Sequence, residues 1–471
     1  MRLRAGRTAA ALVAGACLVT ACTAASPDPP AAEPEPSPSP ATSSPTTQPD
    51  EPDQPEEPEE PEPPGDATDQ PLVVVAHHTS RFTGLRREVA QAVVDGEHPR
   101  AVDPAASPAE AVRAVVADPN RLAAVPASAL GPQVRALTVG GVDPVRQPDD
   151  YPLRTQGAGE PGAVVTVTVV GDLMLTRRVS DPAYALRPTR GRLAAADITV
   201  GNLENTLSRA GTPTQGGDSF GADPAVAGLL RRSGFDVLGL ANNHLGDFGD
   251  RALVQTVRRL RSAGFATFGA GRSPRQAWQP AVVERRGVRF GFLGFNAIGE
   301  TPEVGPGQPG AVSVSMPPRT GPLDRAELRR FLRAVRRLDA RVDAVVAMPH
   351  WGTQYTNVPE PVQRRVARRL VAAGADVVVG GHPHWLQGVE VVRGRLVAHS
   401  LGNFVFDMDF MQRTMEGAIL EMTFWGGELK RADFVPYVMD SRFAPRVVDG
   451  ARAERVLETM RQTSGPAHRG R

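Results

Sequence analysis

Ala375-Asp376-Val377-Val378-Val379-Gly380-Gly381-His382-Pro383-His384-Trp385 is the stretch whose reading decides the fold. A valine run bounded by glycines reads as a short buried strand. Its two histidines then fall on the loop at the C-terminal end, where open α/β sheets gather their ligands. Separated by one residue, His382 and His384 can converge from an irregular loop on neighbouring points, as a pair of metal ions requires. A turn that merely contains two polar rings fits the same letters, so the rest of the chain has to decide.

Working outward, the same event recurs. Val164 to Val170 ends at Asp172, and Ile198 to Val200 leads into Gly201-Asn202-Leu203-Glu204-Asn205. Asp236 to Leu240 runs into Ala241-Asn242-Asn243-His244, and Ala344 to Met348 ends at His350-Trp351-Gly352. Helical patterns fall between them at Asp223 to Arg232, Asp250 to Ser262, Asp324 to Leu338 and Pro361 to Ala373, with a hairpin pattern at Ala281 to Phe295 turning on Gly287. Further strands are expected at Val389 to Val392, Arg395 to His399, Gly417 to Trp425 and Leu429 to Met439. Strands alternating with helices argue for a layered α/β fold.

Carboxylate, amide and imidazole groups at successive strand ends suit a cluster of divalent ions held by nitrogen and oxygen, with one shared carboxylate between two of them. Taken singly, each has a duller reading: Asp172 and Asn243 as turn formers, Glu204 as a surface charge, His350 as a satisfied histidine. Coordinated placement at strand ends is what a site requires and a random surface does not supply.

At this point the motifs resemble a known family. Val169-Val170-Gly171-Asp172, Gly201-Asn202-Leu203-Glu204-Asn205, Gly239-Leu240-Ala241-Asn242-Asn243-His244, Pro349-His350-Trp351-Gly352, Gly380-Gly381-His382-Pro383-His384 and Ser400-Leu401-Gly402-Asn403-Phe404 together resemble the CapA family. That family is associated with poly-gamma-glutamate capsule synthesis and belongs to the calcineurin-like metallophosphoesterase superfamily. The likeness runs from Val164 to Tyr437 and implies an α/β fold of two packed mixed β-sheets flanked by helices, a four-layer sandwich.

It also implies roles. Glu204 takes the place of a bridging aspartate; Asn243, His350 and His382 complete one metal position, and Asp172 and His384 serve the other. His244 matches a histidine that contacts the scissile phosphate or protonates the leaving group without binding metal. Where many members carry a histidine two residues after the first aspartate, this chain has Met174, whose thioether is a poor partner for hard ions and is expected in the core. Asn205, directly after the bridging glutamate, stands where some phosphodiesterase branches compensate with an asparagine, so the resemblance implies it as a further metal ligand and the second position as intact but weaker and more easily emptied. Two divalent ions are implied, with manganese, iron and zinc all compatible. Arg177, Arg178 and Asn403 are candidates for holding a substrate anion, and equally for structural or solvated roles.

The remainder bounds the setting. Both cysteines, Cys17 and Cys22, lie at the extreme N-terminus, so no thiol or disulfide chemistry is available beyond it and any metal must be held by nitrogen and oxygen. The net charge of +1 argues against a nucleic-acid partner. Residues 1–22, with a basic start, an apolar middle and the ending Val19-Thr20-Ala21-Cys22, read as a lipoprotein signal peptide with Cys22 as the lipidated residue; an ordinary secretory signal is the alternative.

Residues 23–70, rich in Pro, Glu, Asp, Ser and Thr, have almost nothing to bury and read as a disordered acidic tether. Residues 71–155 regain core-forming residues and read as a small accessory α/β module with a faint solute-binding-protein likeness. The CapA-like domain is expected over 163–440, with a C-terminal helix and tail at 441–471.

Two functions follow as expectations. One is a phosphoesterase tethered to the outer face of the cell membrane. The other is a non-hydrolytic envelope factor for poly-gamma-glutamate or another anionic polymer, working with membrane partners in capsule synthesis. A solute-binding role for Leu72 to Leu153 is a third.

Overall fold

The computed structural model describes residues 68–157 and 162–470. The signal segment with Cys22, and the tether as far as residue 67, lie outside them. Two mixed sheets carry the site. The first runs in the order Ala266–Phe268, Val237–Gly239, Ile198–Leu203, Val164–Leu173, Glu416–Trp425, Glu428–Met439, Pro445–Val447, with Asn403–Val405 added beside the end of Val164–Leu173. Its first four strands are parallel, and the pairings from Glu416–Trp425 onward are antiparallel. The second sheet is ordered Ala281–Arg285, Val288–Leu293, Ala344–Ala347, Val377–Val379, Arg395–Ala398, Val389–Val392, parallel through its middle and closed at each edge by an antiparallel strand.

The sequence explains why both sheets are sandwiched. Val164–Leu173 and Ala344–Ala347 are near-continuous apolar runs, which suits parallel strands covered on both faces. On the inner faces Val165, Val167, Val169 and Val200 meet Phe290, Phe292, Val346 and Val377. Behind the first sheet lie Leu230, Leu253, Val257 and Leu260 from the helices Val226–Arg232 and Gly249–Ser262. Behind the second lie Leu328, Phe331 and Val335 of helix Arg325–Asp339 and Val366 and Leu370 of helix Pro361–Val371. Helix Arg325–Asp339 starts where Asp324 accepts from the backbone of Ala326 (2.7 Å) and Glu327 (2.9 Å), and it turns an arginine-rich face to solvent. The layering is helix, sheet, sheet, helix, the architecture the family likeness implied.

The accessory stretch is a small sheet in which Thr68–Ala76 pairs antiparallel with Leu122–Pro126, Arg135–Ala136 and Arg154–Gly157. Alternate residues of the central strand face opposite ways. Val73 and Val75 pack with Ala111, Val112 and Val115 of helix Pro108–Ala117, while Val74 and Ala76 pack with Ala90 and Val93 of helix Arg87–Val94. Trp425 and Lys430, the chain's single lysine, fasten it to the first sheet through the carbonyls of Val145 (2.8 Å) and Ser128 (3.1 Å).

Two boundaries differ from the sequence reading. The first strand begins at Thr68, inside the stretch that composition assigned to the tether, because Arg154 fixes Asp69 through its carboxylate (2.8 Å) and its carbonyl (2.7 Å). After 440 the chain adds the strand Pro445–Val447 to the first sheet, and beyond helix Gly450–Arg461 the tail returns to bury Ala467 and His468. Among the described residues no helix is long and apolar enough to cross a membrane.

Candidate metal centre

The parallel strands of both sheets deliver their C-terminal ends to one place. Asp172 stands at the end of Val164–Leu173, Glu204 one residue past Ile198–Leu203, Asn243 and His244 on the turn after Val237–Gly239, His350 after Ala344–Ala347, and His382 and His384 after Val377–Val379. All are buried. Glycines permit the approach: a Cβ on Gly381 would lie 2.6 Å from Asp172 Oδ1 and 3.2 Å from His350 Nδ1. His382 (φ 94°) and His384 (φ 59°) both adopt the left-handed region, a conformation that costs about 1–3 kcal/mol per residue and that surrounding structure must impose. The His382 amide donates to Asp172 Oδ2 (3.0 Å), tying that loop to the first sheet.

Two donor sets share one carboxylate. Glu204, His350 and His382 offer ligand atoms within 4.8 Å of one another, as do Asp172, Glu204 and His384. Glu204 Oε1 is 3.4 Å from His350 Nε2, which also meets Asn243 Oδ1 at 2.9 Å. Among the described residues Glu204 Oε1 and both ring nitrogens of His382 have no hydrogen-bond partner. Buried polar atoms are rarely left so, and a cation would satisfy all three.

The electrostatics agree. Burial pushes the Asp172 carboxyl up to about 7, helped by the Glu204 charge, and pushes Glu204 up to about 8. Burial also pulls His350 down to about 4, His384 down to about 3 and His382 well below the ordinary value, leaving neutral imidazoles with lone pairs to give. Carboxylates reluctant to ionise beside neutral imidazoles are what a site looks like when only a cation can compensate its charge. The residues present fit a metal, and an all-nitrogen-and-oxygen set is compatible with manganese, iron or zinc.

The family model for the bacterial capsule synthesis protein PGA_cap matches residues 166–408, which includes every one of these groups. This chain belongs to that family. The family is part of the metallophosphoesterase-like superfamily. The chain is 32% identical to the capsule biosynthesis protein CapA of Bacillus anthracis over 55% of its own length and 63% of the relative's. It is 30% identical to the PGA biosynthesis protein CapA of Bacillus subtilis, over 55% of this chain and 67% of that one. It thus spans less than two thirds of the Bacillus anthracis relative. A crystal structure of a hypothetical protein from Thermus thermophilus covers 58% of this chain and 99% of its own, with 18% identity and a TM-score of 0.38.

Within this capsule-family centre, His244 stands beside the donor sets rather than in them. Its Nε2 is 4.0 Å from Glu204 Oε1, its Nδ1 meets Asp247 Oδ2 at 2.9 Å, and its ring stacks on Phe220 at 3.9 Å. Burial works to lower its pKa, but Asp247 and then Glu204 raise it overall. Met174 is fully buried in the apolar cluster behind the first sheet, as its chemistry led us to expect.

Other candidates are engaged elsewhere. Asn205 accepts from the Leu175 amide (3.1 Å) and donates to the Thr206 carbonyl (3.1 Å), so its carboxamide is used by the backbone. Asn403, offered above to a substrate anion, accepts from His384 Nδ1 (2.8 Å) and donates to the Thr414 carbonyl (3.1 Å); it orients His384, whose Nε2 lies 3.4 Å from Gln354 Nε2. Arg177 is clamped to Asp407 and lies 4.5 Å over the Phe220 ring, and exposed Arg178 pairs with Asp409 (2.6 Å). Loop carboxylates rather than an anion take the charge of both arginines.

Three residues were missed. Asn202 donates to Asp172 Oδ1 (2.8 Å), and its place two residues before Glu204 on one strand face was a readable signal. Asp247, three residues beyond His244, was another. Glu300, which accepts from Asn243 Nδ2 (2.7 Å) and is itself held by Arg319 (2.6 Å), comes from a distant loop and had none.

Proposed function

We propose that this protein is an exported, surface-tethered phosphoesterase whose centre holds two divalent ions. The observation that carries this reading is Glu204, common to both donor sets, with a buried Oε1 that nothing else in the described residues satisfies. Glu204, Asn243, His350 and His382 would hold one ion, and Asp172, Glu204 and His384 the other. Bound there, the ions would supply Lewis acidity and lower the pKa of a water, making it available as a nucleophile toward a phosphoester.

The chain's own groups do the rest. Asn202 and the His382 amide fix the two oxygens of Asp172, and Asn403 fixes His384. Asp247 at Nδ1 and Glu204 beside Nε2 favour the doubly protonated imidazolium of His244, which can give its Nε2 proton to a departing alkoxide. Cys22 would carry the lipid that anchors the protein to the outer face of the membrane.

The names of the relatives, capsule biosynthesis and PGA biosynthesis, favour a second reading: a metal-bearing but non-hydrolytic factor for an anionic polymer, with membrane partners of capsule synthesis. Metal analysis of the purified full-length protein, coupled to a screen of phosphomonoesters and phosphodiesters, separates the two. Near two equivalents of metal with turnover supports the first reading. Metal-replete protein that hydrolyses nothing in the screen moves the assignment to the second.

A further inference from the structure

The rim of the metal centre carries a pair of rings that the reading above does not use. Tyr355 lies on the loop after His350, with φ at 61°, a left-handed conformation that a bulky side chain adopts only under constraint. Its amide donates to the Pro383 carbonyl (2.9 Å), which holds it against the loop bearing His382 and His384. Its ring lies nearly parallel to His384, centroids 5.9 Å apart at 26°. Phe410 meets it nearly at a right angle, centroids 5.4 Å apart at 87°.

Phe410 is 58% exposed, yet the loop beneath it is fixed: Arg177 grips Asp407, and Thr414 Oγ1 donates to the carbonyls of Met408 (2.6 Å) and Met411 (2.7 Å). Among the described residues the Tyr355 hydroxyl has no hydrogen-bond partner. The result is a right-angled aromatic corner, pre-formed beside a metal-site histidine and open to solvent. Such a corner offers a face in one direction and an edge in the other, the two arrangements that planar aromatic rings prefer when they pack.

We propose that Tyr355 and Phe410 form a ring-binding subsite, and that the phosphoester taken by this centre carries a planar aromatic ring, a nucleobase or aryl group, on the part of the substrate next to phosphorus. This rests on the phosphoesterase reading and adds the substrate class to it.

The test is equilibrium binding of three inert phosphonates, phenylphosphonate, methylphosphonate and, as a non-planar ring, cyclohexylphosphonate, to the metal-loaded full-length protein by calorimetry. Phenylphosphonate should bind at least tenfold tighter than methylphosphonate or cyclohexylphosphonate. Phe410→Ser should remove most of that advantage while metal content and methylphosphonate affinity stay unchanged, and Tyr355→Ala should remove it as well. Phe410 is exposed, so its variant keeps the test alive if Tyr355→Ala fails to fold. Equal binding of phenylphosphonate and methylphosphonate, a preference for cyclohexylphosphonate, or an aromatic preference indifferent to both substitutions overturns the subsite and leaves the phosphoesterase reading standing. If no phosphonate binds and no phosphoester is hydrolysed, that reading fails and takes the subsite with it.

Discussion

Two clusters of buried histidines in this molecule look alike by burial and differ in what the rings touch. At the metal centre His350, His382 and His384 sit with Asp172 and Glu204, and both nitrogens of His382 are unpartnered. At the junction of the accessory module and the C-terminal tail, His78 and His468 stack at 4.0 Å and each places Nε2 3.1 Å from the same Pro132 carbonyl, while His77 Nε2 meets the Pro466 carbonyl at 2.8 Å. Burial pulls His468 down to about 3 and His78 well below its ordinary value, much as it does for His384. A depressed imidazole pKa therefore does not mark a site. What sets the candidate metal centre apart from this pair is that its unpartnered lone pairs lie with Asp172 and Glu204, carboxylates pushed the other way.

The comparison breaks most easily on metal content. His382→Ala should lower metal affinity at least about a hundredfold, since even groups that only orient a ligand are worth about 10–100-fold. His468→Ala should leave metal stoichiometry unchanged. Metal analysis of the two variants side by side checks it, and equal loss from both would erase the distinction.

Catalysis sharpens it further. His244→Ala is expected to keep the metal and lose about 10²–10⁴ in rate, with a smaller loss on substrates whose leaving groups need no proton. Loss of metal from this variant would place His244 among the ligands.

Glu300→Ala, by freeing the Asn243 carboxamide to rotate, should weaken metal binding about 10–100-fold, measured by competition with a chelator. An unchanged affinity would mean that Asn243 needs no help to face the centre.

The smallest effect belongs to the structural cluster. His78 and His468 stay neutral in the folded protein well below the pH at which an unfolded chain protonates them, so the unfolded state binds more protons and stability falls as pH drops from about 6.5 toward 3. The slope is at most about 1.4 kcal/mol per pH unit for each ring. The neighbouring charges, Arg135 and Arg461, oppose protonation, and no carboxylate outweighs them in either ring's balance. His468→Gln can still donate toward Pro132 and does not titrate, so its melting temperature should fall less steeply between pH 6.5 and 4 than that of the parent. Parallel curves would show that this pair does not set the acid limit.

How much of this was legible follows from range. Val164–Leu173, Ala344–Ala347 and Val377–Val379 announce themselves as largely apolar runs, and Asp324 and Pro361 mark helix starts by local chemistry. Because parallel strands end at one edge of a sheet, the sequence could also nominate Asp172, Glu204, Asn243, His350, His382 and His384. Short-range chemistry determined those features. Which nominees face one another depended on long-range packing: Asn205 and Asn243 are both amides after a strand, yet one is taken by its own backbone and the other turns to His350. The same holds for Glu300, brought to Asn243 from 57 residues away, and for Tyr355, whose meeting with Phe410 across the rim exists only once both sheets have closed. Such contacts leave no periodic trace in the chain, because nothing local in the sequence encodes which distant loop will arrive; only the folded geometry decides it.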